Sequence, residues 1–147
     1  MKENYFRVYC EFEFEGKIQK SMESPASWFL LTQTGKLWSY GALQKPQPLG
    51  KEYKKAIPLF YSGFKDKDGV KIYEADIIKG FQEQQGIVDF EDGTFWVRFI
   101  NKRMKAMADF ARVPHIKTAL GTLMNSIDGK YVRVIGNFYM NKELLEE

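Results

Sequence analysis

Residues 61–80, YSGFKDKDGVKIYEADIIKG, place an Asp-x-Asp-Gly step and a Glu-x-Asp step between short apolar runs. Three readings compete: a cation loop, a carboxylate catalytic cluster, or a turn between strands. A calcium loop of the EF-hand type with Gly69 at its sixth position puts Asp66 and Asp68 correctly at the third and fifth. It also puts Phe64 at the first position and Ala75 at the twelfth, so both anchoring ligands are missing. No metal site is expected. Asp66, Asp68 and Gly69 are residue types that tolerate turn geometry, and Lys65, Lys67 and Lys71 balance the acids. The stretch is therefore read as a solvated turn between two strands.

Working outward, strand signals recur at 59–62, 70–73, 77–81, 86–90 and 94–100, and the last three are separated only by QEQQ and EDG. Such short turns force an antiparallel meander. The spacing predicts a small coiled antiparallel sheet or an SH3-like barrel. Upstream, Phe6, Val8, Cys10, Phe12 and Phe14 alternate at period two, and Glu15-Gly16 ends the run before KIQKSM, which predicts a hairpin. A second hairpin is predicted from 28–32 and 36–40 around Gln33-Thr34-Gly35. Between 41 and 58, three prolines and two glycines predict a connection without a central strand.

Downstream, Met104, Met107, Ala108 and Ala111 share one helical face, and Pro114 is read as starting a second helix that aligns Ile116, Leu120, Leu123, Met124 and Ile127. YVRVIGNFYM returns to a strand, and NKELLEE closes as a short helical tail. The fold class is mainly β, with one or two short amphipathic helices near 102–127. One domain with two lobes is expected: hairpins over 1–40, a connection over 41–58 and a sheet-rich unit over 59–147.

The 147 residues are 44% hydrophobic and 28% charged, an ordinary globular composition. Aromatic residues make up 16%, which favours strands. One cysteine, Cys10, excludes an internal disulfide and a cysteine-rich zinc site, and a reducing cytoplasm is the expected compartment. No apolar run approaches the roughly 20 residues of a membrane span, and no membrane partner is expected. No phosphate-binding glycine loop or dinucleotide fingerprint occurs, so no cofactor is expected.

The residues with chemical potential divide into acids and bases. Glu74 with Asp76, and Asp89 with Glu91, would each share a face of an extended chain about 7 Å apart. Carboxylate chemistry needs one partner buried, and nothing in the sequence signals burial there. His115 is the only histidine, and Cys10 falls on the apolar face of the first strand, where a thiol is inert. No catalytic residue is assigned. Net charge is +3, and Arg98, Lys102, Arg103, Lys105, Arg112 and Lys117 face a single acid, Asp109, over 98–117. With Trp96 beside them, these residues form the candidate surface for nucleic acid or a partner.

The opening stretch resembles the hallmark of the YopX family of small phage and prophage proteins, through Gly63, Lys65, Asp66, Lys67, Gly69, Ile72, Tyr73, Glu74, Asp76 and Ile77. GIVDFEDGTFWVRF (86–99) resembles the family's strand pair. VRVIGNFYMNKELLE (132–146), with Gly136 and Asn137, resembles its closing segment. Near the start, Phe6-Arg7 resembles the family's opening. Ala75 stands where the family has glycine, which argues against a left-handed backbone at that position.

The resemblance implies a sheet-rich phage-type protein of the bacterial cytoplasm with no enzymatic activity to carry over. It also implies that Gly63, Lys65, Asp66, Gly69, Tyr73, Glu74, Asp76, Gly136 and Asn137 specify the fold. The expected function is a non-enzymatic accessory protein acting through contacts with itself and with host or phage proteins. Nucleic-acid binding through 98–117 is the alternative.

Overall fold

The computed structural model describes residues 6–23, 29–31, 36–40 and 46–145. The chain divides into two compact units, Met1–Phe60 and Tyr61–Glu147.

In the first unit, β1 (Phe6–Phe14) and β2 (Lys17–Glu23) form the hairpin read from the alternation, with Phe14 opposite Lys17 and Cys10 opposite Ser21. Glu15 and Gly16 both take positive φ, at 51° and 76°. Two such residues match the right-handed twist of the flanking strands, which is why this loop closes a tight hairpin. A second antiparallel set consists of β3 (Phe29–Leu31), β4 (Leu37–Tyr40) and β5 (Pro46–Pro48). The expected turn at 33–35, with Trp28 and Thr32, lies outside the described residues. Val8, Cys10 and Phe29 form the centre of this unit's core, with Phe12, Leu37, Tyr53 and Ala56 against them.

The proline-rich connection needs correction. β5 falls inside it, and β6 (Tyr53–Lys65) begins within it and pairs antiparallel with β1, Pro58 lying opposite Val8. Over 53–60 no strand besides β1 pairs with β6 among the described residues. A proline lacks only the N–H, and an edge strand has N–H groups that no ladder uses.

In the second unit, residues 61–65 of β6 pair with β7 (Lys71–Tyr73). The main sheet runs in the order β11-β10-β9-β8-β12, formed by β8 (Asp76–Lys79), β9 (Gln85–Glu91), β10 (Thr94–Phe99), β11 (Lys117–Ala119) and β12 (Arg133–Asn137). All its pairings are antiparallel. β11 and β12 are its two edges, so the sheet is a curled half-barrel, the open member of the pair of architectures expected. Asp92-Gly93 turns β9 into β10 with φ of 51° and 77°, as the EDG signal implies.

Cross-strand pairs sort the side chains. Val88 sits opposite Val97, facing the core of Ile72, Ile78, Leu120 and Val132. Asp89 opposite Trp96, and Ile87 opposite Arg98, lie on the other face.

Two helices occupy the expected region, with a change in the second. α1 spans Lys102–Ala111. The segment after Pro114 is not helical at first: Phe99 N–H donates to the Ile116 carbonyl at 3.0 Å, and β11 pairs with β10. Only then does α2 (Leu120–Met124) begin. β-Branched Ile116 and Thr118 suit a strand, and the open edge of β10 supplies a ladder that sequence periodicity cannot register. In α1, Ala108 is buried and Met104 half-buried, while Met107 stays exposed. The packed stripe is therefore narrower than the face drawn from the sequence.

Gly86 opens β9 directly against the core: a Cβ added there would lie 2.4 Å from Val97 Cγ1 and 3.3 Å from the Arg98 carbonyl oxygen. Overpacking of this kind costs about 1–3 kcal/mol. Gly86→Ala should lower the unfolding midpoint in a thermal melt by several degrees. An unchanged melt would mean that Val97 moves aside without cost.

Candidate functional site

The signature residues form a hydrogen-bonded hub in the second unit. Asp66, at the end of β6, is only 7% exposed. Its Oδ1 accepts the backbone N–H groups of Asp68 (2.8 Å) and Val70 (2.9 Å), and its Oδ2 accepts that of Val134 on β12 (2.9 Å). The turn closes on itself through Asp66 N–H to the Val70 carbonyl, and Lys67 N–H donates to the Val132 carbonyl. The turn thus fastens the edge strand of the sheet. This corrects the solvated-turn expectation for Asp66: a carboxylate supplied with three N–H donors tolerates burial.

Asp76 is buried at 1% exposure. Its Oδ2 accepts the Tyr73 N–H at 2.8 Å, and its Oδ1 accepts Asn137 Nδ2 at 3.3 Å. Asn137 also donates its backbone N–H to Asn141 Oδ1 and accepts the Tyr139 N–H at its own Oδ1. Gly136 leaves the space in which Leu144 and Asn141 sit, since an added Cβ would lie 2.6 Å from Leu144 Cδ1. Gly63 and Gly69 take positive φ around the bulge and the turn, Lys65 is exposed opposite Lys71, and the Tyr73 and Tyr61 ring centroids are 5.4 Å apart. Glu74 is half-buried beside them.

Ala75 overturns one expectation. Its φ is +70°, its N–H donates to the Val88 carbonyl at 2.6 Å, and its carbonyl accepts the Phe138 N–H at 2.8 Å. The left-handed turn persists without glycine because neighbouring strands hold both of its backbone groups. An L-residue in this region carries a strain of about 1 kcal/mol or more.

The acid pairs do not act as pairs. Asp76 points into the hub, while Glu74 lies near Tyr139, whose hydroxyl is pushed up by burial and by the charges of Glu74 and Asp89. Asp89 accepts Arg98 Nε at 3.0 Å, and Glu91 lies 3.7 Å from Lys117 Nζ. Among the described residues, no three His, Cys, Asp or Glu side chains come together as a metal-holding group. Cys10 is buried, and burial with the nearby Glu23 charge pushes its thiol up to about 12, so it stays protonated at neutral pH.

The basic candidates divide in two. Trp96, Arg98 and Lys117 share one sheet face, where Lys117 Nζ stands 4.5 Å from the Trp96 ring centroid and both cations have acid partners on β9. Lys102, Arg103, Lys105 and Arg112 belong to α1 and its left-handed C-cap. All four are exposed, with no ion pair among the described residues. Asn141, which caps Asn137, and Phe110, 94% exposed on α1, were not singled out in the sequence. Phe110 carried a signal, since it falls outside the stripe of Met104, Met107, Ala108 and Ala111.

The YopX protein family model matches residues 13–146, and the chain belongs to that family. No curated protein matches it. The match covers the hub and reaches the hairpin region, where the sequence resemblance was confined to Phe6-Arg7.

Two outcomes follow. Burial pushes the Asp66 carboxyl up, but the N–H groups of Val134, Val70 and Asp68 and the charge of Lys67 outweigh it and hold it below its ordinary value of 3.8. A depressed folded-state value stabilises the fold above the unfolded carboxyl's pKa and is lost as pH falls through the folded value. Urea midpoints should therefore drop on acidification below about pH 4, and Asp66→Asn should flatten that dependence while costing about 2 kcal/mol at neutral pH. Equal acid slopes for the two proteins would rule this out. Ala75→Gly should raise stability by about 1 kcal/mol by relieving the backbone strain, and a lowered melt would count against strain at that turn.

Proposed function

We propose that this member of the YopX family is a phage-type, non-enzymatic accessory protein of the bacterial cytoplasm that works through protein contacts and associates with itself. The observation that carries this reading is β2. It is a seven-residue edge strand without proline or bulge, and no strand pairs with its outer side among the described residues. Lys17, Ile18, Gln19 and Lys20 are exposed along it. Such an edge presents unpaired backbone donors and acceptors to another strand.

A second copy supplies a matching one. Antiparallel pairing about a two-fold axis at Lys20 uses all seven residues. It sets Lys17 opposite Glu23 of the second copy, Ile18 opposite Met22 and Gln19 opposite Ser21. Lys20 would meet its own counterpart, but each has Glu11 as its cross-strand neighbour on β1. A two-fold interface is self-complementary in this way, and each charge match occurs twice. The assembly would present its remaining surfaces to host or phage proteins. Nucleic acid is the weaker alternative, because Arg98 and Lys117 already face acids and Lys117 covers Trp96.

Sedimentation equilibrium tests the pairing. Lys17→Glu and Glu23→Lys should each weaken self-association about tenfold, through two reversed pairs of up to ~1 kcal/mol each. The double reversal should restore it, and an equal mixture of the two single variants should form mixed dimers. A wild-type protein that stays monomeric at high concentration would sink the proposal.

A further inference from the structure

Helix α1 carries a second, unrelated surface. Its buried side is Ala108 with half-buried Met104. At 100° per residue, Arg103, Met107 and Phe110 follow at i, i+4 and i+7 along a flank about 110° round the helix from that side. There Phe110 is 94% exposed and Met107 47%, and Val113, just beyond the helix, is 42% exposed. Arg103 lies on this apolar crest and Lys102 precedes it at the start of the helix, while Lys105 falls on the far side; Asp109 is the sole acid in the helix. A contiguous apolar patch rimmed by polar groups marks an interaction site rather than ordinary surface.

We propose that α1 docks the protein peripherally on an anionic lipid bilayer, with Phe110 and Met107 entering the boundary between headgroups and acyl chains while Arg103 and Lys102 meet lipid phosphates. Three observations select this occupant. The cations have no acid partners among the described residues, so an anionic surface completes them. The crest mixes Met and Val with Phe, and hydrocarbon accommodates aliphatic side chains that bases would leave in water. The side chains project from a helix face rather than line a groove, as insertion into a soft phase requires. Long basic side chains reach the phosphates while their stems stay apolar.

The expectation of no membrane partner rested on the absence of a span. No helix among the described residues is long and apolar enough to cross a membrane. Lying on a surface is a different class of contact and needs only one amphipathic face.

Co-sedimentation with vesicles tests the proposal. The full chain should sediment with mixed phosphatidylglycerol and phosphatidylethanolamine vesicles at low salt, and much less with phosphatidylcholine alone. Phe110→Asp should abolish sedimentation while leaving the circular dichroism spectrum and thermal melt unchanged, because so exposed a side chain supports little of the fold. Arg103→Glu should weaken it about fivefold or more, and added salt should do the same. No sedimentation with anionic vesicles at low salt would overturn the proposal, as would binding indifferent to Phe110→Asp. A single-stranded oligonucleotide shift that depends on Phe110, without vesicle binding, would also overturn it and assign the patch to nucleic acid.

Discussion

The Asp66 carboxylate takes three backbone N–H groups from two different places, its own turn and the far edge strand of the sheet. A buried carboxylate lacking those donors would be strongly unfavourable, so the turn and β12 must close on it together. Asp76 repeats the arrangement a few residues on, with Tyr73 N–H and the Asn137 amide. Between them, Ala75 is clamped by Val88 and Phe138 in a backbone region that alanine seldom enters. Strands β7, β8, β9 and β12 are thereby fixed at one corner.

Polar hubs of this kind do different work from the apolar core. Val88, Val97, Leu120 and Val132 remove area from water through contacts that carry no hydrogen-bond direction. Asp66 and Asp76 accept only donors at about 2.8–3.3 Å, so a slip of one residue would leave charge unpaired in the interior. The bulges at Val134/Gly136 and between Tyr61 and Lys65 fit this requirement, because they let β12 and β6 bring their backbone groups to the right places.

Much of the fold was legible where its causes are local. Glu15-Gly16 and Asp92-Gly93 name their hairpins because the turn chemistry is contained in the turn, and alternation from Phe6 to Phe14 marks the strand, although Tyr9 on the other face is buried as well and Phe14 is exposed. The family signature was equally readable as a pattern. The failures share a different cause. The burial of Asp66 depends on Val134, sixty-eight residues away. The strand character of Lys117–Ala119 depends on the vacant edge of β10, since Ile116, Leu120, Leu123 and Ile127 also fit a helical period. Pro58 disguised the start of β6 because the sequence does not say which strand positions lie at an edge. In the candidate surface, charge counting gathered seven residues that the sheet and the helix then separated, and it passed over Phe110.

The hub also orders events in time. Its two long-range bonds join residues sixty-eight and sixty-one positions apart, and both end on β12. During synthesis the turn at 66–70 and the β9–β10 hairpin are made long before β12 exists, so two carboxylates must wait in water, solvated, until the last strand emerges. Joining residues so far apart in the chain costs more entropy than closing a two-residue hairpin. The second unit therefore completes its fold only once β12 has emerged, and until then the nascent chain exposes an unsealed sheet edge to whatever chaperone or partner is near the ribosome.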